Sequence, residues 1–321
     1  MALRVLAHFE PGERAREQVA ETADWLDVRF VAEHDDDAFY RELPDAEVIW
    51  HVLRPLSGDD LAKAPKLKLV HKLGAGVNTI DVEAATARGI AVANMPGANA
   101  ASVAEAAVML MLATLRRMPA LDRATREGRG WPTDPELGDK VRDLGGCTVG
   151  LIGYGNVAKR VEQALRALGT TVLHNSTKRD ENTTTWATFN ELLERSDIVS
   201  LHLPLTPETR GMVDGAALAR MKPGSILINT ARGEIVDETA LVSALQNGHL
   251  AAAGLDVFAT EPVPADNPLL ALDNVIVSPH VSWYTADTME RYLTRAIRNC
   301  RRLADGQALY SVVNPAGDER E

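Results

Sequence analysis

Cysteine is nearly missing from this chain: Cys147 and Cys300 are the only two in 321 residues. Two thiols so far apart build no disulfide framework. Neither stands among histidines at the spacing of a zinc site, so no metal centre is expected. The thiol content fits a reducing, cytoplasmic compartment. Positive charge is also short: 34 Lys and Arg stand against 45 Asp and Glu, a net charge of −11. Such a chain gains nothing from counterion release on DNA or RNA, and an anionic lipid surface does not attract it. Neither nucleic acid nor membrane is therefore expected as a partner. Long apolar runs are lacking too. The most apolar stretch, residues 106–115, is half of the ~20 residues that cross a bilayer. The start, MALRVLAHFEPGERAR, has too short an apolar run for a signal peptide and reads as a strand. No internal repeat or low-complexity segment is present.

What is there reads as two α/β domains. A chain of 321 residues exceeds what one hydrophobic core sustains. Over the first hundred residues, apolar runs at 3–8, 47–52, 67–73 and 90–94 alternate with helical patterns such as 11–25 and 82–88. Alternation of this kind predicts a parallel sheet covered on both faces. Residues 102–117 read as one helix. The charged, Gly- and Pro-punctuated stretch 118–146 reads as a connection or arm, suited to a dimer contact. Strands are then predicted at 148–152, 171–175, 198–203, 225–229, 252–257 and 275–277, with helices at 156–168, 191–195, 215–220, 238–247 and 285–303. Six strands with crossovers match a doubly wound dinucleotide fold.

The turn after the first strand of the second half reads Gly153-Tyr154-Gly155-Asn156-Val157-Ala158, preceded by Gly150. Gly153 permits a tight turn, Gly155 lets backbone approach a pyrophosphate at a helix start, and Ala158 takes the third glycine's place. A turn that merely joins strand to helix is the alternative. The next strand ends on Asn175, where an NAD site has a carboxylate for the ribose. A carboxylate there would repel a 2′-phosphate by about 4 kcal/mol at ~4 Å and an effective dielectric near 20. Asn175 lacks that penalty. Ser176 and Thr177 offer hydroxyls, and Lys178 and Arg179 offer charge to a phosphate. The pattern favours NADP(H), with NAD(H) possible; a solvated basic turn is the bland alternative.

Ionisable residues recur where later predicted strands end: Arg232 in LINTARGEIVDE, Asp256 and Glu261 in GLDVFATEPVPADNPL, and His280 in NVIVSPHVSW. Those ends are where parallel sheets build sites. These segments, with VGLIGYG, LPLTPETRGMV and the earlier KLVHKLGAGVNTIDVEAATARGIAVANMPGANAASVAE, resemble the D-isomer-specific 2-hydroxyacid dehydrogenases over nearly the whole chain. The resemblance implies a Rossmann dinucleotide-binding domain, 99–283, and a discontinuous flavodoxin-like substrate domain, 1–98 with 284–321. It implies a homodimer that reduces a small 2-oxo acid to the D-2-hydroxy acid, with glyoxylate or hydroxypyruvate as substrate. His280 would be the acid–base, Glu261 its carboxylate partner, and Arg232 the fork for the substrate carboxylate. Backbone N–H groups of Ala75, Gly76 and Val77 would help bind that carboxylate. Asp256 would take the nicotinamide amide, and Leu203, Pro204, Thr230 and Ala231 would line the cofactor groove. Ser102 would approach the pyrophosphate or simply begin its helix.

The chain departs from the family pattern after His280, with Ser282, Trp283 and Tyr284. Trp283 is read either as a wall of the substrate pocket or as filling between domains. Arg54, after WHVL, is read either as a contact to a polar substrate tail or as a solvated residue. Two rivals stay open: the same fold acting with NAD on another small anion such as formate or phosphite, and a nucleotide-sensing binding protein similar to the C-terminal-binding-protein corepressors.

Overall fold

The computed structural model describes residues 2–131, 135–177 and 185–314. Lys178 and Arg179 lie outside the described residues. The chain divides into two compact units, Met1–Asn99 with Tyr284–Glu321, and Ala100–Trp283.

The first unit runs β1 (Leu3–His8), α1 (Glu13–Ala20), β2 (Leu26–Val31), α2 (Asp36–Glu42), β3 (Val48–His51), α3 (Gly58–Ala62), β4 (Leu69–Lys72), α4 (Val82–Ala87) and β5 (Ala91–Ala93), and a last helix, Ala286–Ala304, returns to it. All five strands are parallel, in the order β2-β1-β3-β4-β5. That is the flavodoxin-like winding. Alternate strand residues Leu6, Ile49, Val70 and Val92 meet Phe39, Leu43 and Leu61 on one face, as the two-residue period of a strand requires. The last helix buries Tyr292, Leu293 and Ala296. The sequence reading found no strand at 26–31. β2 is a half-buried edge strand whose Asp27 and Arg29 pair with each other on the outside, and charges of that kind mask an edge strand's apolar alternation.

The second unit opens on α5 (Ala100–Leu115), α6 (Met118–Arg126) and α7 (Pro135–Lys140). Residues 118–146 are thus not a plain connection. Pro119 sits in the first turn of α6, where its missing N–H costs nothing; in sequence it reads as a breaker. There follow β6 (Thr148–Ile152), α8 (Asn156–Ala167), β7 (Thr171–Asn175), α9 (Phe189–Arg195), β8 (Ile198–Leu201), α10 (Gly215–Arg220), β9 (Ser225–Asn229), α11 (Glu238–Gln246), β10 (Leu250–Leu255) and β11 (Val275–Val277). The final helix is accordingly α12. The sheet order is β11-β10-β9-β8-β6-β7, all parallel. Beyond β7, among the described residues, a single parallel bridge joins His174 to Trp186. With that bridge in the third strand's place, the winding is the 3-2-1-4-5-6 type of dinucleotide folds. Strand β9 shows why both faces are dry: Ile226 and Ile228 pack with α5 and α8, while Leu227 faces Leu192, Leu218 and Leu241. Among the described residues no helix is long and apolar enough to cross a membrane.

Candidate active site

The strands of the second unit end in register. Asn175, Ile152, Leu201, Asn229, Leu255 and Val277 form one row across the sheet. The residues that follow them, Ser176, Gly153, His202, Thr230, Asp256 and Ser278, therefore line the carboxyl edge, where ligands of such sheets bind.

The turn at the head of β6 is shaped for close approach. Gly153 has φ +88° and its N–H donates to Asn175 O at 2.9 Å. A Cβ there would strike the His202 carbonyl, whereas one at Gly155 would meet nothing within 4 Å. Gly155 is the N-cap of α8 and brings no capping side chain, so the first-turn N–H groups remain for an anion. Asn156 and Val157 form that turn, and Ala158 is fully buried behind it. The Tyr154 ring turns away and stacks on His174, centroids 3.8 Å apart, with its hydroxyl on Glu162. Asn175 is oriented from behind, Nδ2 donating to Ala187 O at 2.9 Å, and Trp186 Nε1 donates to Ser176 O at 3.4 Å. Thr177 is exposed.

Two polar atoms at the edge, His202 Nε2 and Thr230 Oγ1, are buried without a protein partner. Burial pushes the His202 pKa down to about 4, so the ring is neutral. An uncapped helix start, a glycine turn and two orphaned polar atoms fit a dinucleotide lying along this edge. Leu203 and Pro204 follow His202, and Ala231 follows Thr230. The sequence reading did not single out His202; its place one residue past β8, level with Thr230, was the available signal.

Arg232 follows β9 in extended backbone, φ −149°. Burial pushes its pKa down, against the pull of Glu261 and Glu234. Its Nη1 donates to Ala231 O at 2.6 Å, and its carbonyl accepts from Asn229 Nδ2. Gly233 comes next because nothing larger fits: a Cβ would collide with the Phe258 backbone. The loop bearing Arg232 thus lies directly against the loop bearing Glu261.

His280 adopts φ +56°, a left-handed conformation that a side-chain-bearing residue keeps only when its surroundings impose it. Asp256 imposes it. Its carboxylate, 1% exposed, accepts from Ser278 Oγ at 2.6 Å, Val281 N at 3.0 Å and Ser282 N at 2.8 Å, and its carbonyl accepts from His280 N at 2.7 Å. Asp256 thus orders the histidine loop, a role the sequence did not suggest for it. Trp283 Nε1 donates to His280 O at 2.9 Å, so the indole fastens the same loop, a role that neither reading of it foresaw. Thus held, His280 Nδ1 lies 2.7 Å from Glu261 Oε2. Glu261 Oε1 accepts from Phe258 N at 3.0 Å. Burial pushes the Glu261 carboxyl up, but the His280 bond and charge, the Phe258 N–H and the Arg232 charge outweigh it and hold it below the usual carboxylate range.

In the first unit, Ala75, Gly76 and Val77 form the loop after β4; among the described residues their N–H groups reach no protein acceptor. Arg54 is held by its neighbours. Its guanidinium bonds Asp36 at 2.8 and 2.9 Å, lies 3.7 Å from Asp60, and covers the Phe39 ring at 4.6 Å. Those partners lie within its own unit and leave the side chain 17% exposed, so it is not the solvated residue of the second reading. Ser102 is buried in the first turn of α5.

The model of the D-isomer specific 2-hydroxyacid dehydrogenase NAD binding domain matches residues 108–282. The chain is 39% identical over 305 residues to a D-3-phosphoglycerate dehydrogenase of Mycobacterium tuberculosis, covering 93% of this chain and 57% of that protein. It thus spans little more than half the length of that curated relative. An NAD-dependent formate dehydrogenase from Staphylococcus aureus, solved with NAD, superposes with a TM-score of 0.89 at 28% identity, covering 98% of this chain and all of that one. An NADPH-dependent glyoxylate/hydroxypyruvate reductase from Sinorhizobium meliloti, solved with NADP and malonate, does so with 0.84 at 29% identity, covering 100% and 99%. With the His280–Glu261 pair and Arg232 set on the edge of a dinucleotide-type sheet, and a family model matched over more than half of its length, this chain belongs to the D-isomer specific 2-hydroxyacid dehydrogenase family.

Proposed function

We propose that this chain is an NAD(P)-dependent dehydrogenase that reduces a small 2-oxo acid, glyoxylate or hydroxypyruvate in kind, to the D-2-hydroxy acid, with NADPH preferred. The observation that carries the reading is the 2.7 Å contact between His280 Nδ1 and Glu261 beside a half-buried Arg232. The bound nicotinamide supplies the hydride. His280 supplies the proton. With Nδ1 engaged by Glu261, the other ring nitrogen, Nε2, is the one that gives a proton to the 2-oxo oxygen. Glu261 keeps Nδ1 protonated throughout, so the ring ends neutral in a single tautomer. Arg232 holds the substrate carboxylate in its fork and favours charge developing on the oxygen. Ala75, Gly76 and Val77 offer N–H groups to a carboxylate.

The cofactor preference rests on Asn175 standing where a carboxylate would repel a 2′-phosphate, followed by Ser176, Thr177, Lys178 and Arg179. Pairing of two copies is supported by the exposed apolar residues Met109, Leu112 and Met118 along α5 and α6, a patch of the kind that marks an interface. The cysteine usage supports a cytoplasmic location. Substrates are separated by a panel of glyoxylate, hydroxypyruvate, D-3-phosphoglycerate and formate, each assayed with both cofactors. In the decisive variant, His280→Ala, turnover is lost while NADPH still binds; turnover that survives refutes the assigned acid.

A further inference from the structure

The first unit carries a buried group that the chemistry above does not use. β3 and β4 end on His51 and Lys72, neighbours in register and 1% and 4% exposed. The Lys72 ammonium donates to the Val52 carbonyl in the turn after β3, to Thr79 Oγ1 at 3.1 Å, and over a longer contact of 3.4 Å to His51 Nδ1. The state of His51 follows from its other nitrogen. Nε2 lies 2.6 Å from the Arg54 carbonyl, which can only accept, so Nε2 carries the hydrogen. Burial, reinforced by the Lys72 charge, pushes the ring well below its ordinary pKa. It is therefore neutral, with its Nδ1 lone pair turned to the ammonium. The three hydrogens of the ammonium have these acceptors on two segments, His51 and Val52 at the end of β3 and Thr79 beyond the loop.

Lys72 and Thr79 bracket the six residues that include Ala75, Gly76 and Val77. The Lys72 stem passes beneath this loop, its Cε 3.4 Å from where a Cβ on Gly74 would be. Backbone bonds fix the loop's flanks: Leu73 N to His51 O, Leu56 N to Thr79 O and Met95 N to Gly74 O, each at 2.8 Å. Asn94 Nδ2 adds a bond to Ala75 O at 2.7 Å. The loop is held at its base while three consecutive N–H groups stay available, the form of a backbone anion cradle.

We propose that Lys72 is a positioning residue: its buried ammonium clasps the two ends of the 73–78 loop, so that Ala75, Gly76 and Val77 present their N–H groups to the carboxylate of a 2-oxo acid. The clasp rests on the carboxylate role proposed above for that loop. It acts without touching the ligand, and its effect falls on affinity for the acid and not on the cofactor.

Two variants test it. Lys72→Met keeps the stem and removes all three donors. KM for glyoxylate should rise about 10- to 100-fold, the worth of one or two charge-assisted hydrogen bonds, with kcat changed far less and the Kd for NADPH unchanged. Amide exchange at Leu73, Ile80 and Met95 should quicken. Thr79→Val removes one arm and keeps the charge; it should raise KM in the same direction by a few-fold, and it decides the matter if Lys72→Met does not fold. Unaltered KM and unaltered exchange in a folded variant overturn the clasp, as does a lowered Tm with neither altered. Wild-type protein without turnover on any 2-oxo acid overturns the carboxylate reading instead, and amide exchange then judges the clasp alone.

Discussion

Replacing Asp256 by Asn should disable the protein out of proportion to the one atom changed. The carboxylate offers two oxygens to three donors, Ser278 Oγ, Val281 N and Ser282 N. An amide offers one oxygen. Whichever way it turns, its NH2 faces a backbone N–H, either Ser282 or Val281. A buried donor left unmet costs about 1–3 kcal/mol, and the surviving bonds lose the strength that charge gave them. Together these predict a loss of about 2–4 kcal/mol in unfolding free energy, a large share of a typical total. The functional effect should exceed the structural one. His280 stands at φ +56°, disfavoured by on the order of 1 kcal/mol, and the Asp256 bonds hold it there. Released, the ring drifts from Glu261, and a displacement of ~1 Å at a reacting group can cost about 100-fold in rate. Urea unfolding followed by tryptophan fluorescence measures the first quantity, and steady-state kinetics with glyoxylate and NADPH the second. A destabilised Asp256→Asn protein that keeps kcat within threefold refutes the claim that these bonds position His280. One as stable as wild type refutes the bonding account itself.

Acidification should weaken the fold well before its carboxylates titrate. Burial pushes His8 and His202 down to about 4 and His71 to about 3, and His51 lies well below the ordinary value. Unfolded histidine titrates near 6.5, so below that pH the unfolded chain binds protons that the folded one does not, and stability falls by up to ~1.4 kcal/mol per group per pH unit. At pH 5 the four together remove on the order of 5 kcal/mol or more; an unchanged urea midpoint between pH 7 and pH 5 would contradict this. Charge reversal at Lys178 and Arg179 should weaken NADPH about 100-fold and NADH by less than about threefold, read by titration of cofactor fluorescence; equal losses would end the case for the 2′-phosphate.

The arrangement of the second unit was legible because its signals are local. A glycine turn between a strand and a helix, and charged residues just past apolar runs, place Gly153, Arg232, Asp256 and His280 on one edge whatever the packing. What escaped were relations across distance. Nothing in WHVLRP says that Arg54 meets Asp36 and Asp60, since those partners come from α2 and α3. The carboxylate of Asp256 marks the end of a strand in sequence, but only folding brings 278–282 over it. β2 stayed hidden because the charges on its outer face broke the apolar pattern, and α6 because Pro119 reads as a stop when it is a start.

Among the described residues, the outer edge of the second sheet ends on a single bridge between His174 and Trp186, in the place of the third strand of the dinucleotide winding. The ladder from β7 to β11 is complete without that outer position, since its register row runs from Asn175 to Val277 through paired strands alone. Sequence changes confined to the outer rim therefore leave the pairing that carries the sheet untouched, and Asn175, the last residue of β7, is the innermost point they reach.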